Sequence, residues 1–452
     1  MSTDPQVSVS ARSLESLDFP RILSLIGALA ATDGGRLRVA SLRPVRGEEL
    51  ARRRAELTEL ADILSEGTLV AALDEPITEL WEELNGSRPD LDGRKLVRWS
   101  RVLATARLAV ETLDEARPAL HAIVRDLPDL GWLEERIQGT LDERGDVRDD
   151  ASPALQKLRR RIARLRKTTY ARLQETLDER GEVFSQDTIP FHNGRLVLML
   201  RSGERGRVEG LVHGSSASGR SLYFEPMAAV ESNNELQEAV AGEEVERRRL
   251  LRELVEAIIA SREAIGSTLE ALARLDGLQA VWRFGDLIDG RLVEISDGDL
   301  VLKEARHPLL APATRTLREA VLGSAGHAGG VTPLDLELVG DGRVLVVTGP
   351  NAGGKTVALK TTGLVVTLTL CGVPAPVAPG SRIPEVGTLV AVVGDEQDLM
   401  QDRSTFSGRL LRLEEAWSAA GPESLVLLDE LGSGTDPHEG AALSVALVER
   451  LA

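Results

Sequence analysis

Residues 344–360 read VLVVTGPNAGGKTVALK, and the fold turns on that stretch. Gly349-x-x-x-x-Gly354-Lys355-Thr356 has the spacing of a phosphate loop. The apolar run Val344 to Val347 predicts a buried strand before it, and a helix is predicted from Thr356 onward. Gly349, Gly353 and Gly354 let the backbone turn so that its N–H groups converge on phosphate oxygens. The following helix adds the positive end of its dipole. In that context Lys355 reaches β- and γ-phosphates and Thr356 offers a hydroxyl to Mg²⁺. The competing reading is a glycine-rich βα turn that meets the spacing by chance.

A second stretch, SLVLLDE from Ser424 to Glu430, is an apolar strand ending in two carboxylates. Asp429 suits a Walker B acid that holds Mg²⁺, and Glu430 is placed to orient or deprotonate an attacking water. Between the two, GLVVTLTLCGVPAPVA from Gly363 is the most apolar run, broken by Gly372 and Pro374, and it predicts a buried core helix.

The chain has 452 residues, enough for two or three domains, and 42% of them are apolar. Cys371 is the one cysteine, so no disulfide framework is possible and a reducing cytoplasm is expected. Neither a signal peptide nor a membrane-spanning run is visible. A net charge of −17 excludes nonspecific whole-surface binding to nucleic acid, so the distribution of charge matters more than the total.

One local reversal stands out. Lys157, Arg159, Arg160, Arg161, Arg164, Arg166, Lys167 and Arg172 follow one another with no acid among them. They lie on a predicted helix capped by Ser152 with Pro153 in its first turn. Leu155, Leu158, Ile162, Leu165, Thr169, Leu173 and Thr176 give it a seam at spacings of three and four. A second long helical pattern from Glu231 to Leu272 predicts an antiparallel partner. Between them DTIPF, RLVLMLR, VEGLV and RSLYFE read as short strands, decorated by Arg195, Arg201, Arg205, Arg207 and Arg220. Residues 10 to 145 are mostly amphipathic helix without an internal repeat. Two readings of the basic stripe stay open, a solvated coiled-coil face and a phosphate contact.

GPNAGGKT, GDEQDLMQDRSTFSG and LLDELGSGTDPHEG together resemble the ATPase of the MutS family. ARHPLL, which contains His307, resembles the segment that opens this ATPase and borders the adenine. SLESLDFPRILSLI and GSSASGRSLYFEP are similar to the family's second bacterial branch, so the likeness covers nearly the whole chain. It implies a multidomain architecture. The parts are a helical core and lever (1–150), a first clamp arm (151–182), a β-rich clamp head (183–230), a returning arm and lever (231–290) and an α/β ATPase of ABC type (291–452).

The resemblance also implies ATP with Mg²⁺, a nucleotide site at Gly349, Pro350, Asn351, Ala352, Gly353, Gly354, Lys355, Thr356 and His307, and metal ligation by Thr356 and Asp429. Catalysis would rest on Glu430 and Lys355. Ser404, Thr405, Phe406, Ser407 and Gly408 would act in trans on the other subunit of a homodimer, Gly432 to Asp436 would face that dimer, and Gln397 is a sensor candidate. Arg159, Arg160, Arg161, Arg164, Arg195, Arg205 and Arg207 are the candidates for nucleic-acid contact.

Two partners fit the branch and stay open: branched DNA, with suppression of homologous recombination, and the ribosomal RNA of collided ribosomes that are split with ATP. No phenylalanine is followed by x-Glu, so the mismatch wedge of classical MutS proteins is not supported. The chain stops within the helical pattern ALSVALVERLA. Family members continue with a switch histidine, a dimerising region and a C-terminal nuclease domain, so a truncated chain is expected. A transporter ATPase would carry Leu-Ser-Gly-Gly-Gln where STFSG stands, and a chromosome-organising ATPase would have far longer coils.

Overall fold

The computed structural model describes residues 6–73, 75–324, 331–340, 342–350, 354–394, 405–432 and 436–451. The chain divides into two compact units. One takes Met1–Glu79, Thr105–Pro128 and Ala264–Ala452, and the other takes Leu80–Ala104 and Asp129–Glu263. Helices dominate both, with small sheets between them. No helix among the described residues is long and apolar enough to cross a membrane.

The first unit is built around the helix Lys355–Leu370, whose residues from Thr361 to Leu370 are all buried. The apolar run read as a core helix therefore is one, and it ends at Cys371 and Gly372. A parallel sheet stands beside it, with Thr388–Val392 between Ser424–Leu428 and Ser8–Val9. Ser8 and Val9 pair with Thr388 and Leu389, so a piece of the expected first domain belongs to the sheet of the expected last one. Ser13 and Ser16 tighten the join. The Ser13 hydroxyl accepts from the Ala391 N–H at 3.1 Å, and the Ser16 hydroxyl donates to the Ala391 carbonyl at 3.2 Å. The helix Phe19–Gly27 then buries Phe19, Ile22, Leu25 and Ile26 almost completely. A mixed sheet in the order Glu294–Ser296, Arg382–Pro384, Leu300–Ala305, Leu334–Leu338 completes this unit's β-structure.

In the second unit the helices Pro153–Arg180 and Met227–Ala260 run antiparallel. Ser152 meets Glu246, Arg159 meets Glu243 and Arg161 meets Glu235, so one helix is read upward as the other is read downward. The predicted seam holds at Leu155, Ile162, Leu165, Thr169 and Leu173, all buried, while Leu177 rather than Thr176 closes it. Ile162 and Leu165 pack with Leu236 and Ala239. The predicted cap is present, since the Ser152 hydroxyl accepts from the Leu155 N–H at 3.1 Å. It also donates to Glu246 at 2.7 Å. Hydrogen bonds from Arg249 and Ser152 hold the Glu246 carboxyl down at about 2.

Periodicity from Glu231 to Leu272 predicts one long helix, but Met227–Ala260 and Arg262–Leu287 are separate. Ser261 leaves helical geometry (ψ 10°) while its N–H still donates back to Ala257 and Ile258. Between the antiparallel helices stands a three-stranded antiparallel sheet with Ser221–Pro226 in the middle, flanked by Leu198–Arg201 and Gly210–Ser215. Its inner face joins Leu198, Leu200 and Phe224 to Leu173, Leu177 and Ala229 of the helices in one core.

Candidate nucleotide site and cationic faces

At the phosphate loop Gly349 and Gly354 take φ of +148° and +80°, where a Cβ would be strained. Gly354 precedes the helix Lys355–Leu370, so that helix's first N–H groups open toward the loop. The Lys355 ammonium donates to the Gly349 carbonyl. The Thr356 hydroxyl donates to Asp429 at 2.6 Å. Asp429 is 7% exposed at the end of Ser424–Leu428, and its own N–H donates to the Val392 carbonyl at 2.9 Å. A hydroxyl and a carboxylate in direct contact are the hard oxygen donors that suit Mg²⁺. Glu430 follows at φ +49°, a conformation rare for a residue with a side chain and concentrated at functional turns.

Several expected participants lie outside the described residues: Asn351, Ala352, Gly353, Gln397, Ser404 and positions 433–435. Thr405, Phe406, Ser407 and Gly408 open the helix Thr405–Ala419, but their side chains are outside the described set as well. Pro350 is exposed.

The strand predicted at Val344 to Val347 is not formed among the described residues. Those four side chains are between 38% and 65% exposed. A strand needs a neighbour for its N–H and C=O groups. Among the described residues Ser424–Leu428 pairs with Thr388–Val392 on one side, and residues 344–347 do not join its other edge.

A cavity of about 580 Å³ adjoins the phosphate-loop helix, lined by Thr356, Val357 and Lys360 together with Asp18, His307, Leu309, Leu310, Arg318 and Leu322. His307 is 4% exposed, and neither ring nitrogen has a hydrogen-bond partner among the described residues. Burial pushes its pKa down to about 4, so the ring is neutral. A buried imidazole with two unmatched polar atoms is a costly arrangement unless a ligand completes it. Asp18 and Lys360 were not visible as site residues in the sequence, because only the fold brings positions 342 residues apart to 2.7 Å.

The cations of the arm sort into two classes. Arg159 donates to Glu243 at 2.8 Å, to Asp149 and to the Val147 carbonyl, and Arg161 pairs with Glu235. These hold the antiparallel helices together. Lys157, Arg160, Arg164 and Lys167 are exposed and make no ion pair or side-chain hydrogen bond among the described residues. At spacings of three and four they share one helix face.

In the head, Arg195 is not a free surface cation. Its side chain is 17% exposed and donates twice to Glu225, which is fully buried, as well as to Asn234 and Gln237. Glu225 also accepts from Asn233 and meets His213 at 2.6 Å. Arg207 pairs with Glu204 on the surface, while Arg205 is exposed.

Residues 345–452 match the family described as MutS domain V. Curated proteins called Endonuclease MutS2 align over nearly all of the chain. The protein of Pelotomaculum thermopropionicum is 34% identical, covering 97% of this chain and 55% of the relative. That of Gemmatimonas aurantiaca is 36% identical, covering 98% and 54%. The one from Thermus thermophilus is 36% identical, covering 97% and 55%. The chain thus spans about half the length of these relatives.

Proposed function

The chain belongs to the MutS2 family, and we propose that it binds and hydrolyses Mg-ATP to control a clamp on nucleic-acid backbone. The observation that carries this reading is the contact of Thr356 with Asp429 at the start of the helix that Lys355 opens, beside positive-φ Gly349 and Gly354. Loop N–H groups and Lys355 hold the phosphates, and the helix dipole of Lys355–Leu370 adds to the field. Thr356 and Asp429 hold Mg²⁺, which when bound neutralises charge on the phosphate oxygens. Glu430 orients the attacking water and takes its proton. Ser404 to Gly408 of a second copy complete the site from the opposite side in a homodimer.

For the nucleic-acid partner the free face of the arm, with Arg160 and Arg164, and the exposed Arg205 of the head supply the contacts. Arg159, Arg161 and Arg195 serve the frame instead. Contacts of this kind read phosphate rather than sequence, as suits branched DNA. We infer that the endonuclease activity for which the relatives are named belongs to the part of those proteins beyond the aligned stretch.

Replacing Glu430 by Gln separates the steps. ATP binding is retained, turnover falls by two to four orders of magnitude, roughly the contribution of a general base, and the trapped protein enriches branched DNA over linear duplex. Enrichment of ribosomes in the same capture would move the reading to collided ribosomes. Undiminished turnover would remove Glu430 from the mechanism.

A further inference from the structure

Asp18 occupies the N-cap position of the helix Phe19–Gly27, yet its carboxylate makes no cap hydrogen bond. An aspartate at that position ordinarily accepts from the first-turn N–H groups. Here the residue takes φ +58°, uncommon for a side-chain-bearing residue. Its carboxylate instead accepts from Lys360 at 2.7 Å and from Arg21 at 3.0 Å, at the wall of the cavity beside the phosphate loop. The side chain is 15% exposed, so it is largely withdrawn from solvent while still lining that space.

Position along the helix indicates which part of a nucleotide would reach it. Thr356 is in contact with the Walker acid Asp429, and Lys360 lies one turn further along the same helix, about 6 Å on. The sugar of a nucleotide comes immediately after its phosphates, so it falls at this level of the cavity. Leu309, Leu310, Leu322 and Val357 offer apolar surface for a base. A carboxylate is an acceptor only, and the ribose 2′-hydroxyl is a donor that a 2′-deoxy sugar lacks.

We propose that Asp18 is a specificity-determining residue that accepts a hydrogen bond from the ribose 2′-hydroxyl of ATP, so that the site selects ribonucleotides over deoxyribonucleotides. The inference rests on the ATP reading of this cavity. His307, whose ring nitrogens have no hydrogen-bond partner among the described residues, lies in the same wall and supplies polar atoms toward the base.

The test measures binding, not turnover, with ATP, 2′-deoxy-ATP and 3′-deoxy-ATP titrated into the parent chain and into Asp18→Asn and Lys360→Gln, each checked by thermal melting. The parent is expected to bind ATP about tenfold to a hundredfold more tightly than 2′-deoxy-ATP, as for one hydrogen bond to a charged acceptor, with 3′-deoxy-ATP close to ATP. Asp18→Asn should weaken ATP and leave 2′-deoxy-ATP within about twofold, while Lys360→Gln keeps the preference. A parent indifferent to the sugar, or an Asp18→Asn chain that loses all three ligands equally, would overturn the proposal while leaving the ATP reading intact. A parent that binds none of the three overturns both.

Discussion

The basic arm and the phosphate loop use positive charge in opposite ways. On the arm, cations are many and their meaning depends on which helix face they occupy. Arg159 and Arg161 are matched by acids of the facing helix, and Lys157, Arg160, Arg164 and Lys167 are not matched among the described residues. At the loop one cation, Lys355, is bonded to the Gly349 carbonyl, and the next residue, Thr356, is bonded to Asp429. A count of charges therefore says little. What a cation already touches decides whether it is frame or function.

The loop end of this contrast breaks most sharply. Lys355→Ala should lower ATP affinity by at least about a hundredfold, because clustered phosphate charge loses its cation. Isothermal titration reads this directly, and a loss below threefold would leave Lys355 no privileged role.

His307 gives the next effect, and its sign follows from the depressed pKa. The folded chain takes no proton there until about pH 4, while an unfolded histidine binds one from about 6.5. Between those values the unfolded state holds more protons, so stability falls as pH drops from 6.5 to 4. His307→Gln should flatten this limb by up to about 3 kcal/mol in denaturant titrations.

On the arm, the two classes of arginine should part company. Arg160→Ala with Arg164→Ala should reduce the slope of log affinity against log salt by about 1.4 to 1.8 for junction DNA. Arg159→Ala should leave the slope unchanged and lower stability by about 1 kcal/mol or less. Equal slopes for both variants would merge the two classes. The smallest effect is at the cap: Ser152→Ala should cost about 1 kcal/mol of folding stability, seen as a shifted urea midpoint without a change in slope.

The contrast also explains what the sequence disclosed. The arm was legible because its information is local. Ser152 and Pro153 mark its start, and Leu155, Ile162, Leu165 and Leu173 repeat at helical spacing. The phosphate loop was legible as a motif for the same reason. Arg195 misled because its partner Glu225 lies thirty positions on and is buried only once the head folds. Asp18 was silent, since Asp-Phe-Pro announces a helix start and nothing in it points to Lys360. Val344 to Val347 have the composition of a buried strand, but composition cannot supply the neighbour that a ladder requires.

The pairing of Ser8 and Val9 with Thr388 and Leu389 sets an order of events during synthesis. Parallel strands so distant in the chain pay their loop-closure entropy late, and such contacts are slow to form. The antiparallel helices and the sheet between them lie within Asp129–Glu263 and share two cores with one another. They can therefore consolidate on the ribosome while Ser8 and Val9 still lack the strand they will pair with. Until Thr388–Val392 emerges, the Ser8–Val9 edge has no ladder partner, and pulse proteolysis of stalled nascent chains should find it among the last regions protected.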